Sequence, residues 1–351
     1  MVNSVRRQRG LSLVELMIAM TLGLVLTGGI IVTFISSKSV YLTQQALSQI
    51  QDTGRLAIDF LEKDIRMAGY MGCGTRSTVM SITNTLNNAS DFEYDFGTAI
   101  EGYAEADLPT GTLTKTPASD TDIIVLRSAS SDGVEVEKNN DSAQVFVTYT
   151  GSESNACSGS KDKVSGICPG DILIVSDCSK ARVFQATNVT KSGTTVNLVH
   201  SSSGTPGNAI SSWGGSSINP DQSFGAGSEV IIPVTSAYFI ATGAAGKLSL
   251  WKNQNGVEFE LLEGVEDMAV TYGEDTDATQ DFVPNSYKTA ANVSDWDRVV
   301  SVHIELLMAS SDDNVLSDIQ SYSFDGESIT PDDKRLRQVF SNTVGIRSRL
   351  N

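Results

Sequence analysis

Residues 9–35 read RGLSLVELMIAMTLGLVLTGGIIVTFI, and the organisation of the whole chain follows from that stretch. The run from Leu11 to Ile35 carries a single charge, Glu15. At 1.5 Å per residue a helix of this length crosses a hydrocarbon layer roughly 30 Å thick. Arg6, Arg7 and Arg9 stand immediately before it. Basic flanks stay on the cytoplasmic side, which sends the rest of the chain to the periplasm. A secretory signal also begins with a basic segment, but its apolar centre is only about 7–15 residues long and ends at a small-x-small cleavage site. This run is longer and has no such site. A plain signal anchor explains the apolar run and leaves Glu15 unexplained. A carboxylate near the centre of a membrane helix costs on the order of 2–3 kcal/mol, so this one calls for a partner.

The helical pattern continues past the anchor. Val40, Leu47, Ile50, Gly54, Ile58, Leu61 and Ile65 fall on one stripe at 100° per residue, with Leu56 and Phe60 off it. An unbroken helix from about Leu11 to Met67 would be roughly 85 Å long and would lay that stripe against a soluble body. From Ser77 the pattern changes to short β-branched runs between polar turns: 123–126, 145–149, 172–175, 183–186 and 196–199, then 230–240, 248–251, 265–272, 299–308 and 339–346. The stretch 201–228, rich in Gly, Ser and Asn with Pro206 and Pro220, reads as a long surface loop. The fold class expected is α+β: a long helix packed on a large, mostly antiparallel β domain. The expected boundaries are 1–10 leader, 11–35 membrane segment, 36–72 amphipathic continuation and 73–351 β-rich body.

A formal charge of −17 argues against nucleic acid, whose phosphates require clustered cations. Cys73, Cys157, Cys168 and Cys178 all follow the anchor and would meet an oxidising compartment, which favours two disulfides. Of three possible pairings, Cys157 with Cys168 and Cys73 with Cys178 is the one expected, the second tying the helix end to the sheet. Zinc is disfavoured, because no close Cys pair exists and His200 and His303 lack ligand spacing. Asp275, Asp277 and Asp281 alternate as carboxylates do in calcium loops, but the central Gly and closing Glu are missing, so a solvated acidic turn is the first reading. No nucleophile elbow, no His-Glu-x-x-His and no phosphate-cradling loop occurs, so neither an enzyme nor a cofactor is expected.

The run Arg9-Gly10-Leu11-Ser12-Leu13-Val14-Glu15 resembles the class III signal of type IV pilins and type II secretion pseudopilins. The resemblance implies cleavage after Gly10 by a prepilin peptidase, N-methylation of the new amine on Leu11, and pairing of Glu15 with the amine of a neighbouring subunit. Two buried opposite charges would offset each other's desolvation. Leu11 departs from the Phe of many pilins, and no proline precedes Pro109, so Gly23, Gly28 and Gly29 are the only weak points in the helix. Gly54 to Ala57, Asp64 to Tyr70, Gly72-Cys73, Pro169-Gly170-Asp171, Ser176 to Cys178, Val270 to Gly273 and Arg335 to Arg347 are similar to stretches of the PilW family of minor pilins. That family implies a non-enzymatic minor pilin that primes filament assembly at the inner membrane and can stay at the pilus tip. Its implied partners are other minor pilins, the major pilin, the prepilin peptidase and the inner-membrane assembly platform. The alternatives are a large minor pseudopilin of a type II secretion system and a membrane-tethered adhesin.

Overall fold

A computed structural model describes residues 12–72, 81–130, 132–177, 179–214 and 220–349. It opens with one α-helix, Leu13–Met67, of 55 residues. No proline interrupts the helix, and Gly23, Gly28 and Gly29 stay within it without a break. Every described residue from 12 to 42 is exposed, and the apolar part is long enough to cross a membrane. Further along, Ile50, Gly54, Ala57, Leu61 and Ile65 are buried. Their spacing of three and four residues keeps them on one face. Val40 and Leu47, expected on this stripe, are instead 57 % and 38 % exposed. Around Thr43, whose hydroxyl donates to the Val315 carbonyl at 2.9 Å, the loop before Val315 lies beside the helix. The helix ends at Ala68, where Gly69 takes φ +75°, donates its N–H to the Arg127 carbonyl and leaves no room for a Cβ beside Ser348 Oγ.

The helix lies against two antiparallel sheets. One has five strands in the order Val257–Glu263, Leu248–Gln254, Pro233–Thr242, Asp122–Ala129 and Ile100–Ala104. The other has four: Ser286–Lys288, Val265–Glu274, Val299–Ala309 and Arg337–Gly345. Together with the helix stripe they enclose the main core, which includes Ile124, Leu126, Tyr238, Ile240, Met268, Val270, Ile304 and Leu306. Strand Arg337–Gly345 is pinned by Glu266, which pairs with both Arg335 and Arg337, while Arg337 also binds Asp333.

A second body grows out of a hairpin. Asp122–Ala129 and Pro233–Thr242 are paired neighbours with Ala129 opposite Pro233, yet about a hundred residues separate them in sequence. Those residues, joined by Ser81–Asn84, build an eight-stranded sheet in the order Ser81–Asn84, Lys180–Gln185, Ile172–Ser176, Glu229–Ile231, Val134–Lys138, Gln144–Thr148, Thr195–Val199 and Asn188–Ser192. Its own core holds Val145, Val147, Leu173, Val175, Phe184, Val196, Leu198, Trp213 and Phe224. A smaller cluster around Met71, Phe96, Ala129, Ile174, Val183 and Ile231 joins this lobe to the end of the helix. The run expected at 230–240 is therefore two strands: the chain passes between sheets at Ile232, and the apolar residues on either side belong to different sheets. Ser81–Asn84 with Lys180–Gln185 is the single parallel pair among the described residues. The stretch 201–228 has no strand among its described residues, as expected, but Trp213 and Phe224 are fully buried and fasten it to the lobe.

Gly54 is where helix and sheet come closest. A Cβ there would sit 2.5 Å from the ring of Phe340 on strand Arg337–Gly345. Gly54→Ile should cost about 1–3 kcal/mol through overpacking, and Phe340→Ala in the same chain should recover part of it. Thermal melts of the two variants check this, and an unshifted Gly54→Ile would show that no close contact exists.

Asp267 lies half-buried at the start of the four-stranded sheet. Burial first, then the charges of Asp122, Asp325 and Asp120, push its carboxyl up to about 6. The folded state therefore takes up a proton before the unfolded chain does, and the stability linked to this group is present at low pH and lost as pH rises through about 6. Asp267→Asn should melt higher than the parent at pH 7, with the gap closing by about pH 4. Melting curves across that range give the test.

Candidate assembly site

The helix begins with a reciprocal cap. Ser12 N–H donates to Glu15 Oε2 at 2.9 Å, and Glu15 N–H donates to Ser12 Oγ at 3.2 Å. This is the Ser-x-x-Glu capping box, with the carboxylate at the N-terminal end of the helix dipole. Glu15 thus has a partner within its own chain, a role the reading of the sequence missed although the spacing carried the signal. Oε1 takes no hydrogen bond from the described residues and is left for a further donor. Gly10 and Leu11, the expected cleavage and methylation positions, lie outside the described residues. Along the apolar half, Thr21 and Thr33 return their hydroxyls to carbonyls one turn back, as a helix in lipid requires.

At the other end of the helix a polar clamp fixes its direction. Asp64 Oδ2 accepts from the Tyr238 hydroxyl and from Lys252 Nζ, both at 2.7 Å. Glu62 accepts from Asn342 Nδ2 at 2.9 Å. Burial, reinforced by the Asp64 charge, raises the Tyr238 phenol well above its ordinary value, so it remains a donor at any working pH. One and two turns back, Phe60 and Leu56 remain 37 % and 43 % exposed on the outer face.

Cys157 and Cys168 are joined, with Cα atoms 5.7 Å apart. The bond fastens the hairpin Ser152–Cys157 and Lys161–Val164 to the turn where the Asp171 carboxylate accepts Cys168 N–H at 2.8 Å. Cys73 and Cys178 lie outside the described residues. His200 is in the inserted lobe and His303 on strand Val299–Ala309 of the four-stranded sheet, so the fold does not make them one site.

Asp275, Asp277 and Asp281 are brought together, with one carboxylate oxygen of each within 4.8 Å of the others. Asp275 is fully buried, and its oxygens already accept N–H groups from Asp277, Asp281 and Phe282. Arg298 Nη2 stands 3.9 Å away and also donates to the Asp277 carbonyl. Lys288 pairs with the adjacent Glu274. Arg298 and three N–H groups thus already face the Asp275 carboxylate, which makes Asp275 the organiser of a turn.

The exposed membrane-length helix, its capped Glu15 and the β body clamped to its second half agree with the sequence comparisons. Residues 5–31 match the prokaryotic N-terminal methylation motif, so the chain is similar at its start to type IV pilin-like proteins. Such a motif followed by a single apolar helix fits an inner-membrane-anchored pilin. Within that class, residues 237–348 match PilW, described as type IV pilus-assembly protein W; both families are structural rather than enzymatic. The PilW match takes in the strands that grip the helix, from most of Pro233–Thr242 to Arg337–Gly345. No curated protein and no solved structure matches the chain.

Calcium in millimolar amounts should leave the melting temperature of the full-length protein unchanged, whereas Asp275→Ala should lower it by removing the acceptor of three N–H groups. A rise with calcium that Asp275→Ala abolishes would assign the loop to the cation instead.

Proposed function

We propose that this protein is a minor pilin that helps prime filament assembly at the inner membrane and travels to the pilus tip. One observation carries the reading. A membrane-length helix with a half-satisfied Glu15 at its start is joined, through a PilW-type region, to a body far larger than the helix itself. Such a body suits a low-copy subunit that caps an end better than a repeating unit packed on all sides.

In this reading Gly10 is the last residue of the leader and Leu11 carries the new amine. Residues 11–35 span the membrane, 36–72 continue the helix and the β-rich body faces the periplasm. Removing the leader takes three arginines with it, so the formal charge moves from −17 to −20. Self-repulsion of that size discourages homopolymers and favours assembly with other minor pilins and the major pilin. Glu15 serves that assembly by meeting a neighbour's amine with Oε1 while Oε2 stays on Ser12. The peptidase and the inner-membrane assembly platform are the remaining partners.

A strain lacking the gene, scored for sheared surface pili and for secreted exoenzyme, separates the pilus from type II secretion. The expected result is loss of pili with normal secretion. Loss of secretion with normal pili would move the protein to the pseudopilins, and no change in either would favour a tethered adhesin. In the same strain, Glu15→Ala should be cleaved normally but fail to restore pili; normal piliation would refute the charge pairing.

A further inference from the structure

The inserted lobe holds a cation with no hydrogen-bond or ion-pair partner among the described residues. Arg182 lies on strand Lys180–Gln185, opposite Val175 and beside the edge strand Ser81–Asn84. It is 5 % exposed. Its Nε is sealed from solvent without an acceptor, it donates no side-chain hydrogen bond among the described residues, and no carboxylate among them lies within ion-pair distance. Burial accordingly pulls the guanidinium below its ordinary value. The other buried arginines are treated differently: Arg127 binds Glu101 and two carbonyls, Arg337 binds Glu266 and Asp333, and Arg349 donates to the Trp296 and Val299 carbonyls. A buried charge without a counter-ion costs several kcal/mol, so a fold that pairs its other buried guanidiniums leaves this one for something else.

The surroundings define the ligand. The guanidinium carbon is 5.1 Å from the centre of the Trp213 ring, and Trp213 stacks on His200 with centroids 4.1 Å apart. Phe184 and Phe224 meet Trp213 edge-on. The Trp213 Nε1 donor is also buried without an acceptor. Burial pushes His200 down to about 4, against weaker pulls from its backbone contacts and Asp141, so the ring is neutral at physiological pH. Lys180, two residues earlier on the same strand, is already paired with Asp177. The site therefore offers a guanidinium with no carboxylate partner among the described residues, a planar fork of donors and a packed aromatic backing.

We infer that Arg182 and Trp213 form a recognition site for a monoanionic carboxylate, presented as a free small acid or as an acidic side chain of a partner. A guanidinium fork matches two carboxylate oxygens, and one unit of charge suits a carboxylate better than a phosphate dianion. Aromatic walls exclude water and strengthen the pair. This inference does not depend on the role proposed for the helix.

Thermal melts of the full-length protein in detergent, followed by tryptophan emission, test it. Four additions are compared at matched ionic strength: sodium acetate, a blocked peptide with one aspartate side chain, inorganic phosphate and sodium chloride. Acetate should raise the melting temperature saturably by about 2–4 °C relative to chloride. A matching rise with the peptide marks a protein ligand, and a rise with acetate alone marks a free acid. Arg182→Met should abolish the acetate effect while melting higher than the parent in chloride, because it removes an unpaired buried charge. Equal effects of all four additions, a rise with phosphate alone, or no rise at all would overturn the proposal. So would an Arg182→Met chain that melts lower than the parent in chloride, since Arg182 would then be part of the packing.

Discussion

The contact between the helix stripe and the paired sheets reconciles two solvents. Above Thr43 the helix presents apolar side chains on every side and is stable only in lipid or against other helices. Below it, Ile50, Gly54, Ala57, Leu61 and Ile65 give one apolar face, which the sheets cover. A helix this long would otherwise bend or fray in water. The ring of Phe340 against Gly54 sets the separation, and Asp64 with Tyr238 and Lys252 sets the direction. Because only one face is covered, the opposite face with Leu56 and Phe60 stays available.

That grip also explains how the chain can carry a second body. The strands that hold the helix run mostly from Pro233 to Gly345, which is also the part that matches PilW. The eight-stranded lobe is spliced into the pairing of Asp122–Ala129 with Pro233–Thr242, whose register is fixed by the two-residue alternation of side chains against the core and does not depend on what is inserted. An insertion at a hairpin end costs little, since loop-closure entropy rises only slowly with length. The lobe then closes a core of its own around Trp213 and Phe224 and leans on the helix end through Met71. Function can therefore vary in the lobe while the grip stays constant.

What the sequence disclosed depended on whether the cause was local. The apolar run, its basic flank and its unbroken continuation are local, and the helix from Leu13 to Met67 is close to the one expected. Strands made of β-branched runs were legible for the same reason. Strands such as Ser152–Cys157 and Glu327–Ile329 were not, since their polar residues sit on two-stranded hairpins with little to bury. The break at Ile232 was hidden because both neighbouring strands are apolar and only the tertiary arrangement assigns them to different sheets. Val40 and Leu47 continued the stripe by periodicity alone, and periodicity does not say where a body ends. In the candidate site, Glu15 was legible as an anomaly of charge, and the Cys157–Cys168 pairing agrees with the expected one. Asp275 was legible as an acid but not as a buried hub, because its partners Phe282 and Arg298 become neighbours only in the folded loop.

Glu15 shows how a costly group can be tolerated before it is used. A bare carboxylate at the centre of a membrane helix carries a penalty on the order of 2–3 kcal/mol, and one near the helix start, as Glu15 is, carries part of it. In this chain Ser12 N–H and the helix N-terminus offset part of that penalty within a single subunit. The offset is incomplete, because one oxygen has no donor among the described residues. A lone subunit with a fully satisfied Glu15 would gain nothing by meeting an amine, and one with a bare Glu15 would enter the membrane poorly. On the proposed reading, the half-capped arrangement avoids both extremes: the subunit would wait in the bilayer and still gain free energy when a cationic neighbour arrives. On the proposed reading, the same serine that begins the helix sets how strongly assembly is driven.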